Sequence, residues 1–124
     1  MNVIHTNDAP AAVGPYSQAI EANGVLYCSG QIAIQPKEGR IVAKTIEEQA
    51  EQCCQNVEAV LKEAGCSMEH VVKTTCFIAD IADFSAFNRI YAKHFVSKPA
   101  RSCVAVKALP AGALCEIEVT AVRG

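Results

Sequence analysis

Between Pro99 and Glu118 the chain reads P-A-R-S-C-V-A-V-K-A-L-P-A-G-A-L-C-E-I-E, two alternating runs around the turn-rich segment Leu109-Pro110-Ala111-Gly112. Alternation with a period of two marks strands with chemically different faces, and a Pro/Gly connection folds the second back toward the first. On the first run Arg101, Cys103, Ala105 and Lys107 share one face, with Ser102, Val104 and Val106 on the other. On the second, Glu116 and Glu118 lie opposite Cys115, Ile117 and Val119. The returning strand lands directly beside the first or one strand away, so Arg101 and Glu116 are expected to meet in one pocket. A guanidinium offers a planar fork to a carboxylate, and a nearby glutamate can hold or deprotonate a water. The same residues also fit a plainer arrangement, an ion pair on the rim of a sheet with Cys103 as a packed thiol.

The rest of the chain supplies two helices and further strands. Val3-Ile4-His5 is a short extended piece, followed by a loop of small residues that includes Pro10. A strand over Ser17 to Glu21 leads into Asn23-Gly24, a strong two-residue hairpin signal. The next strand, Val25 to Ile34, is interrupted by Ser29-Gly30-Gln31, and a glycine inside an apolar strand marks a bulge or a close approach by another group. Gln35 to Lys44 reads as a polar loop. Thr45-Ile46-Glu47-Glu48 then opens a long helix as a capping box, with an apolar stripe of Ile46, Ala50, Cys53, Cys54, Val57, Leu61 and Ala64 and a stop at Gly65. Val71 to Ala79 is a strand with apolar or small residues on both faces, as in a strand covered on both sides. A second helix, Phe84 to Phe95 with Asp83 as N-cap, carries Phe84, Phe87, Tyr91 and Phe95 on its stripe. Asn88 shares that stripe, and a polar amide there must find partners, if only to tie down a loop.

This order predicts a single α+β domain over residues 1–124, a mixed sheet of about six strands with both helices on one face. The chain is 51% hydrophobic but only 19% charged, so some apolar surface is expected to be covered by another subunit. A net charge of −2 with scattered Lys and Arg leaves no electrostatic footprint for nucleic acid. Seven cysteines without C-x-x-C or paired histidines argue against a disulfide framework and a zinc site, and a reducing cytoplasm is the simplest location. No apolar run reaches membrane-spanning length and no signal-peptide pattern is present, so no membrane association is expected.

Pro99-Ala100-Arg101-Ser102-Cys103-Val104, Lys107-x-Leu109 and Glu116-Ile117 together resemble the C-terminal signature of the RidA (YjgF) family of enamine/imine deaminases. Gly14-Pro15-Tyr16-Ser17, Ser29-Gly30-Gln31 and the F-N-x-x-Y segment around Asn88 extend the resemblance over nearly the whole chain. Cys115 departs from it, standing where the family usually has a branched aliphatic residue. The resemblance implies the fold shared with one class of chorismate mutase, a homotrimer with pockets at subunit clefts, and no metal or cofactor. It implies hydrolysis of short 2-imino or enamine carboxylates to 2-keto acids and ammonia. Arg101 would hold the carboxylate and Glu116 would handle water and protons. The backbone of Cys103 would contact the nitrogen, with Tyr16, Ser29, Gly30 and Asn88 shaping the pocket. A non-catalytic metabolite-binding or chaperone-like trimer is the alternative.

Overall fold

The computed structural model describes residues 1–123. In chain order its elements are β1 (Asn2–Ile4), β2 (Ala19–Ala22), β3 (Val25–Cys28), β4 (Ile34–Gln35), β5 (Arg40–Ile41), α1 (Ile46–Glu63), β6 (Val71–Ile78), α2 (Phe84–His94), β7 (Ala100–Ala105) and β8 (Cys115–Val122). Six strands form one mixed sheet in the order β1-β2-β3-β8-β6-β7, and β4 pairs with β5 in a separate hairpin. Only β6 and β7 run parallel, joined through α2. The expected α+β arrangement of two helices and a six-stranded sheet is therefore present.

Local chemistry explains where the helices begin and end. At the head of α1 the Thr45 hydroxyl accepts the Glu48 N–H at 3.2 Å and donates to the Glu48 carboxylate at 3.1 Å. At its foot Gly65 takes φ +75°, and Cys66 N–H reaches back to the Leu61 carbonyl at 2.8 Å, a Schellman-type ending that glycine permits at little cost. The start of α2 differs from expectation. Asp83 makes no side-chain capping bond, whereas Asp80 accepts from Ala82 N–H at 2.9 Å and caps the 3₁₀ turn Ile81–Asp83 that feeds the helix.

Two strand assignments also change. The strand expected over Val25 to Ile34 stops at Cys28; beyond it the chain touches the sheet again only where Gln31 bridges Ile117. The segment expected as a polar loop contains β5. Of the two places open to the strand that returns after β7, the chain takes the one a strand away: β8 lies against β6 and β3, leaving β6 between β8 and β7.

The core lies between the helices and one face of the sheet. Thr74, Cys76 and Ile78 of β6 and Cys115, Ile117, Val119 and Ala121 of β8 are all buried there. Cys53 of α1 packs with its Sγ 3.8 Å from that of Cys115. The opposite face has no helical cover. Lys73, Thr75 and Phe77 are not buried, so β6 is covered on one side only within the chain, contrary to expectation. Val3, Tyr27, Val104 and Val122 are exposed on the same face. No helix among the described residues is long and apolar enough to cross a membrane.

Buried amides pin the loops to this frame. Gln18 accepts from Thr6 N–H at 2.7 Å and donates to the Pro10 carbonyl at 2.8 Å. Gln49 donates to Ala43 O at 3.0 Å and accepts from Leu114 N–H at 2.8 Å. Asn56 donates to the carbonyls of Ile32 and Ile34, at 3.1 and 2.9 Å. Asn56→Ala strands both carbonyls and should cost about 2–4 kcal/mol. Urea unfolding at fixed protein concentration measures it; an unchanged midpoint would show that water replaces the amide without loss.

Candidate active site

Arg101 and Cys103 sit on β7, the edge strand of the sheet, and their side chains face the helices. The Arg101 guanidinium donates to Asn88 Oδ1 at 2.7 Å and lies 4.8 Å from the Tyr91 ring centroid and 5.6 Å from that of Phe84. All of these partners are neutral. Among the described residues Arg101 joins no ion pair, while Arg40, Arg89 and Arg123 each have a carboxylate. A half-buried cation with free donors and no counter-ion is disposed to receive an anion. The groove in front of it has a volume of about 400 Å³ and is also bordered by Phe95 and Lys98.

The edge position gives Cys103 a further use. Val106 N–H bonds to Ile78 O of β6, so by strand alternation the backbone N–H and C=O of Cys103 point away from β6, to the open edge. Its thiol is a poor nucleophile: burial pushes its pKa up, an effect only partly offset by Arg101. The buried thiols of Cys28 and Cys76 are pushed up to about 12. All seven cysteines are free.

Glu116 belongs to a second hollow, on the other face of the sheet. Cys115 and Ile117 are buried toward the helices, so Glu116 points the opposite way. It lines a cleft of about 280 Å³ with Tyr16, Gly30, Ile32, Pro110 and Val13. The Gln31–Ile117 bridge, with bonds of 2.8 and 3.0 Å, draws Gly30 against the Glu116 side chain. A Cβ on Gly30 would stand 2.9 Å from Glu116 Cδ and 3.1 Å from Cγ, so any side chain there would displace the Glu116 carboxyl from its present position. Burial is the main cause that raises the Glu116 pKa above the ordinary glutamate value, and the like charge of Glu118 adds to it.

Tyr16 is half exposed, and its hydroxyl accepts from Val13 N–H at 3.4 Å. Ser29 donates its hydroxyl to the Ser17 carbonyl at 2.6 Å, which fixes the turn leading into Gly30. The expected residues thus gather in two groups. Arg101, Asn88 and Cys103 form one, and Tyr16, Gly30 and Glu116, with Ser29 behind them, form the other. The meeting of Arg101 with Glu116 expected from the two strands does not occur within one chain. Their strands are separated by β6 and their side chains leave opposite faces.

Tyr91 and Thr74 also adjoin Arg101, a contact that the sequence does not signal. Tyr91 was visible as a stripe residue three positions after Asn88, but nothing local tied it to Thr74. Another hollow, of about 450 Å³ between α1 and the β4–β5 hairpin, is acidic, but Glu47 and Glu51 there already pair with Arg89 and His94.

The α+β chain thus carries, among the described residues, an arginine without an ion-pair partner at one sheet edge and, on the open face, a glutamate whose pKa is raised by burial. Comparison with known proteins gives the family. The model of the family described as Endoribonuclease L-PSP matches residues 6–123, and the chain belongs to that family, the one that contains the RidA (YjgF) deaminases. It is 46% identical over 123 residues to the human 2-iminobutanoate/2-iminopropanoate deaminase, covering 98% of this chain and 90% of that one. It is 53% identical over 122 residues to a candidate regulator, AldR, of Lactococcus lactis, covering 98% and 97%. The crystal structure of YyfA from Yersinia pestis, described as a Rid-family protein of unknown function, superposes with a TM-score of 0.94 at 53% identity and 98% coverage of both chains.

Two substitutions test the Glu116 cleft without reference to activity. In a carboxyl-carbon NMR titration Glu116 should titrate above the ordinary glutamate value. Glu118→Gln removes the like charge and should move the midpoint down, and Gly30→Ala should do the same by pushing the carboxylate toward water. A midpoint that stays put in both variants would contradict the packing described.

Proposed function

We propose that the protein hydrolyses short 2-imino carboxylates and their enamine tautomers, such as 2-iminopropanoate, 2-iminobutanoate and 2-aminoacrylate, to 2-keto acids and ammonia. The observation that carries this reading is the Arg101 guanidinium, half-buried, oriented by neutral groups and lacking a counter-ion among the described residues. Two of its N–H groups grip the substrate carboxylate side by side. The outward carbonyl of Cys103 accepts from the imino nitrogen and orients the C=N bond. Glu116 takes a proton from water as the oxygen attacks C2 of the N-protonated imine, whose C=N electron pair moves onto nitrogen, which gives a neutral carbinolamine. It then gives that proton to nitrogen, and as the C–N bond breaks and ammonia leaves, the hydroxyl proton passes back to the Glu116 carboxylate and the keto C=O forms. A raised carboxyl pKa suits a group that must both take and return a proton. Imines are labile in water, so positioning and a proton shuttle suffice without metal, cofactor or covalent intermediate.

The two groups of residues lie on opposite faces, so we place the complete site between copies of the chain, with Arg101, Asn88 and Cys103 from one and Tyr16, Gly30 and Glu116 from the next. The exposed apolar residues of the open sheet face support such an assembly, and a homotrimer is the form the family resemblance implies. The name of the 46%-identical human relative supports the reaction. The name of AldR supports a second reading, a metabolite-binding assembly that grips the same anion without turnover. The family description names a ribonuclease, but a net charge of −2 gives little attraction for a polyanion, and we place no nucleic acid or membrane among the partners. Seven free thiols suit a reducing cytoplasm.

Adding the protein to a serine or threonine dehydratase reaction should speed the release of ammonia and keto acid. Unchanged release beside tight binding of 2-keto acids would favour the second reading. Arg101→Ala should lower kcat/KM by about a hundredfold or more while light scattering shows the assembly intact. Cys103→Ser should keep most activity; loss of turnover together with covalent trapping by a thiol reagent would instead make the sulfur the nucleophile. On the acid side, kcat/KM should fall as Glu116 is protonated, at a pH above that expected of an ordinary glutamate. An acid limb at or below the ordinary value would remove Glu116 as the base.

A further inference from the structure

Arg101 is held by more than its bond to Asn88. The guanidinium carbon lies 4.8 Å from the centroid of the Tyr91 ring. That ring is itself locked in place. It stacks on Phe95 at 4.3 Å with an interplanar angle of 23°, and it sits 6.0 Å from Phe87. Phe87, one turn before Tyr91 in α2, and Phe95, the residue that ends the helix four positions after it, are both buried in the core. At the far end of the ring the hydroxyl is 2.7 Å from Thr74 Oγ1. Thr74 is fully buried in the middle of β6 and pairs in register with Arg101 on the neighbouring β7. The chain therefore closes a ring of contacts, from the Arg101 backbone across the sheet to Thr74, on to the Tyr91 hydroxyl, and from the aromatic face back to the guanidinium.

We propose that Tyr91 is a positioning residue for Arg101, and that Thr74 sets the position of Tyr91. The inference rests on the reading of Arg101 as a carboxylate clamp. An arginine side chain has several freely rotating bonds, and a clamp that must meet a small carboxylate with two parallel N–H bonds gains from being ordered before the ligand arrives. Asn88 fixes one nitrogen of the guanidinium. The aromatic face fixes its plane and attracts the charge without spending the N–H donors, which an acidic partner would consume. A buried threonine hydroxyl on the core face of a strand is costly unless bonded, and in this chain the Tyr91 hydroxyl at 2.7 Å is its close partner, beside a long bond from the Cys76 thiol at 3.9 Å.

The test reads Arg101 directly. Its rate of modification by phenylglyoxal, followed by peptide mass spectrometry, does not depend on turnover. Tyr91→Leu should speed modification of Arg101 severalfold and weaken binding of 2-oxobutanoate about three- to thirtyfold by calorimetry. Binding of 2-oxobutanamide, which has no carboxylate, should not change. Tyr91→Phe keeps the ring and should show a smaller loss. Thr74→Val should match it, and the double variant should be no worse than either alone. Thr74→Ser should restore wild-type behaviour, which a loss of packing alone would not predict.

Wild-type modification and binding in a folded Tyr91→Leu protein would overturn the proposal. A Thr74→Val protein that behaves as wild type would overturn the role of Thr74. If the wild-type protein binds 2-oxobutanoate, Tyr91→Leu weakens it and no imine hydrolysis is found, the positioning role stands and the proposed reaction falls.

Discussion

A sheet with helices on one side has a single dry face, and strand alternation obliges each strand to commit one set of residues to it. In β8 the apolar set Cys115, Ile117, Val119 and Ala121 goes inward, which sends Glu116 out. In β7 the inward set begins with Arg101, which meets Asn88 and Tyr91 of α2, and Cys103, which packs against the core. A one-residue slip in either strand would bury a carboxylate among cysteines or release the guanidinium from its aromatic seat. The hydrophobic requirement of the core therefore also sets the location of the charges.

The energetics of those charges separate site from scaffold. The ion pairs Arg40–Glu38 and Arg89–Glu47 are long and exposed, and such pairs contribute about 0–1 kcal/mol. Arg123 is tied more firmly, donating to Glu21 at 2.6 Å and to the carbonyl of Ala64 at the foot of α1, so it links β2, β8 and the helix end. Arg101 and Glu116 have no such partners. One sits beside neutral aromatic and amide groups, and the other is pushed toward its neutral form by burial and by Glu118. Among the described residues neither is tied into the scaffold by an opposite charge, and we propose that both serve ligand chemistry.

Much of the fold could be read locally. Asn23-Gly24 forms the hairpin its dipeptide signals, with φ +52° and +79°, and the helices lie where their stripes and stop residues place them. The glycine of Ser29-Gly30-Gln31 had two readings, a bulge or a close approach, and the approach is that of Glu116. What escaped local reading depends on distant partners. The position of β6 between β7 and β8 is decided by pairings some forty residues apart in sequence. The buried amides of Gln18, Gln49 and Asn56 look like ordinary polar residues until their carbonyl partners are known. The spacing marks Arg101 and Glu116 as candidates, but their separation onto opposite faces depends on which set of each strand meets the helices.

We propose that these two residues act together only across two copies of the chain. This sharing is tested most directly by mixing two inactive variants, Arg101→Ala and Glu116→Gln, through joint unfolding and reassembly. Shared sites predict recovery of about a quarter of the wild-type rate, because random assembly pairs an intact arginine with an intact glutamate at that fraction of interfaces. Mixed assemblies that form, as native mass spectrometry would show, yet stay inactive would contradict it.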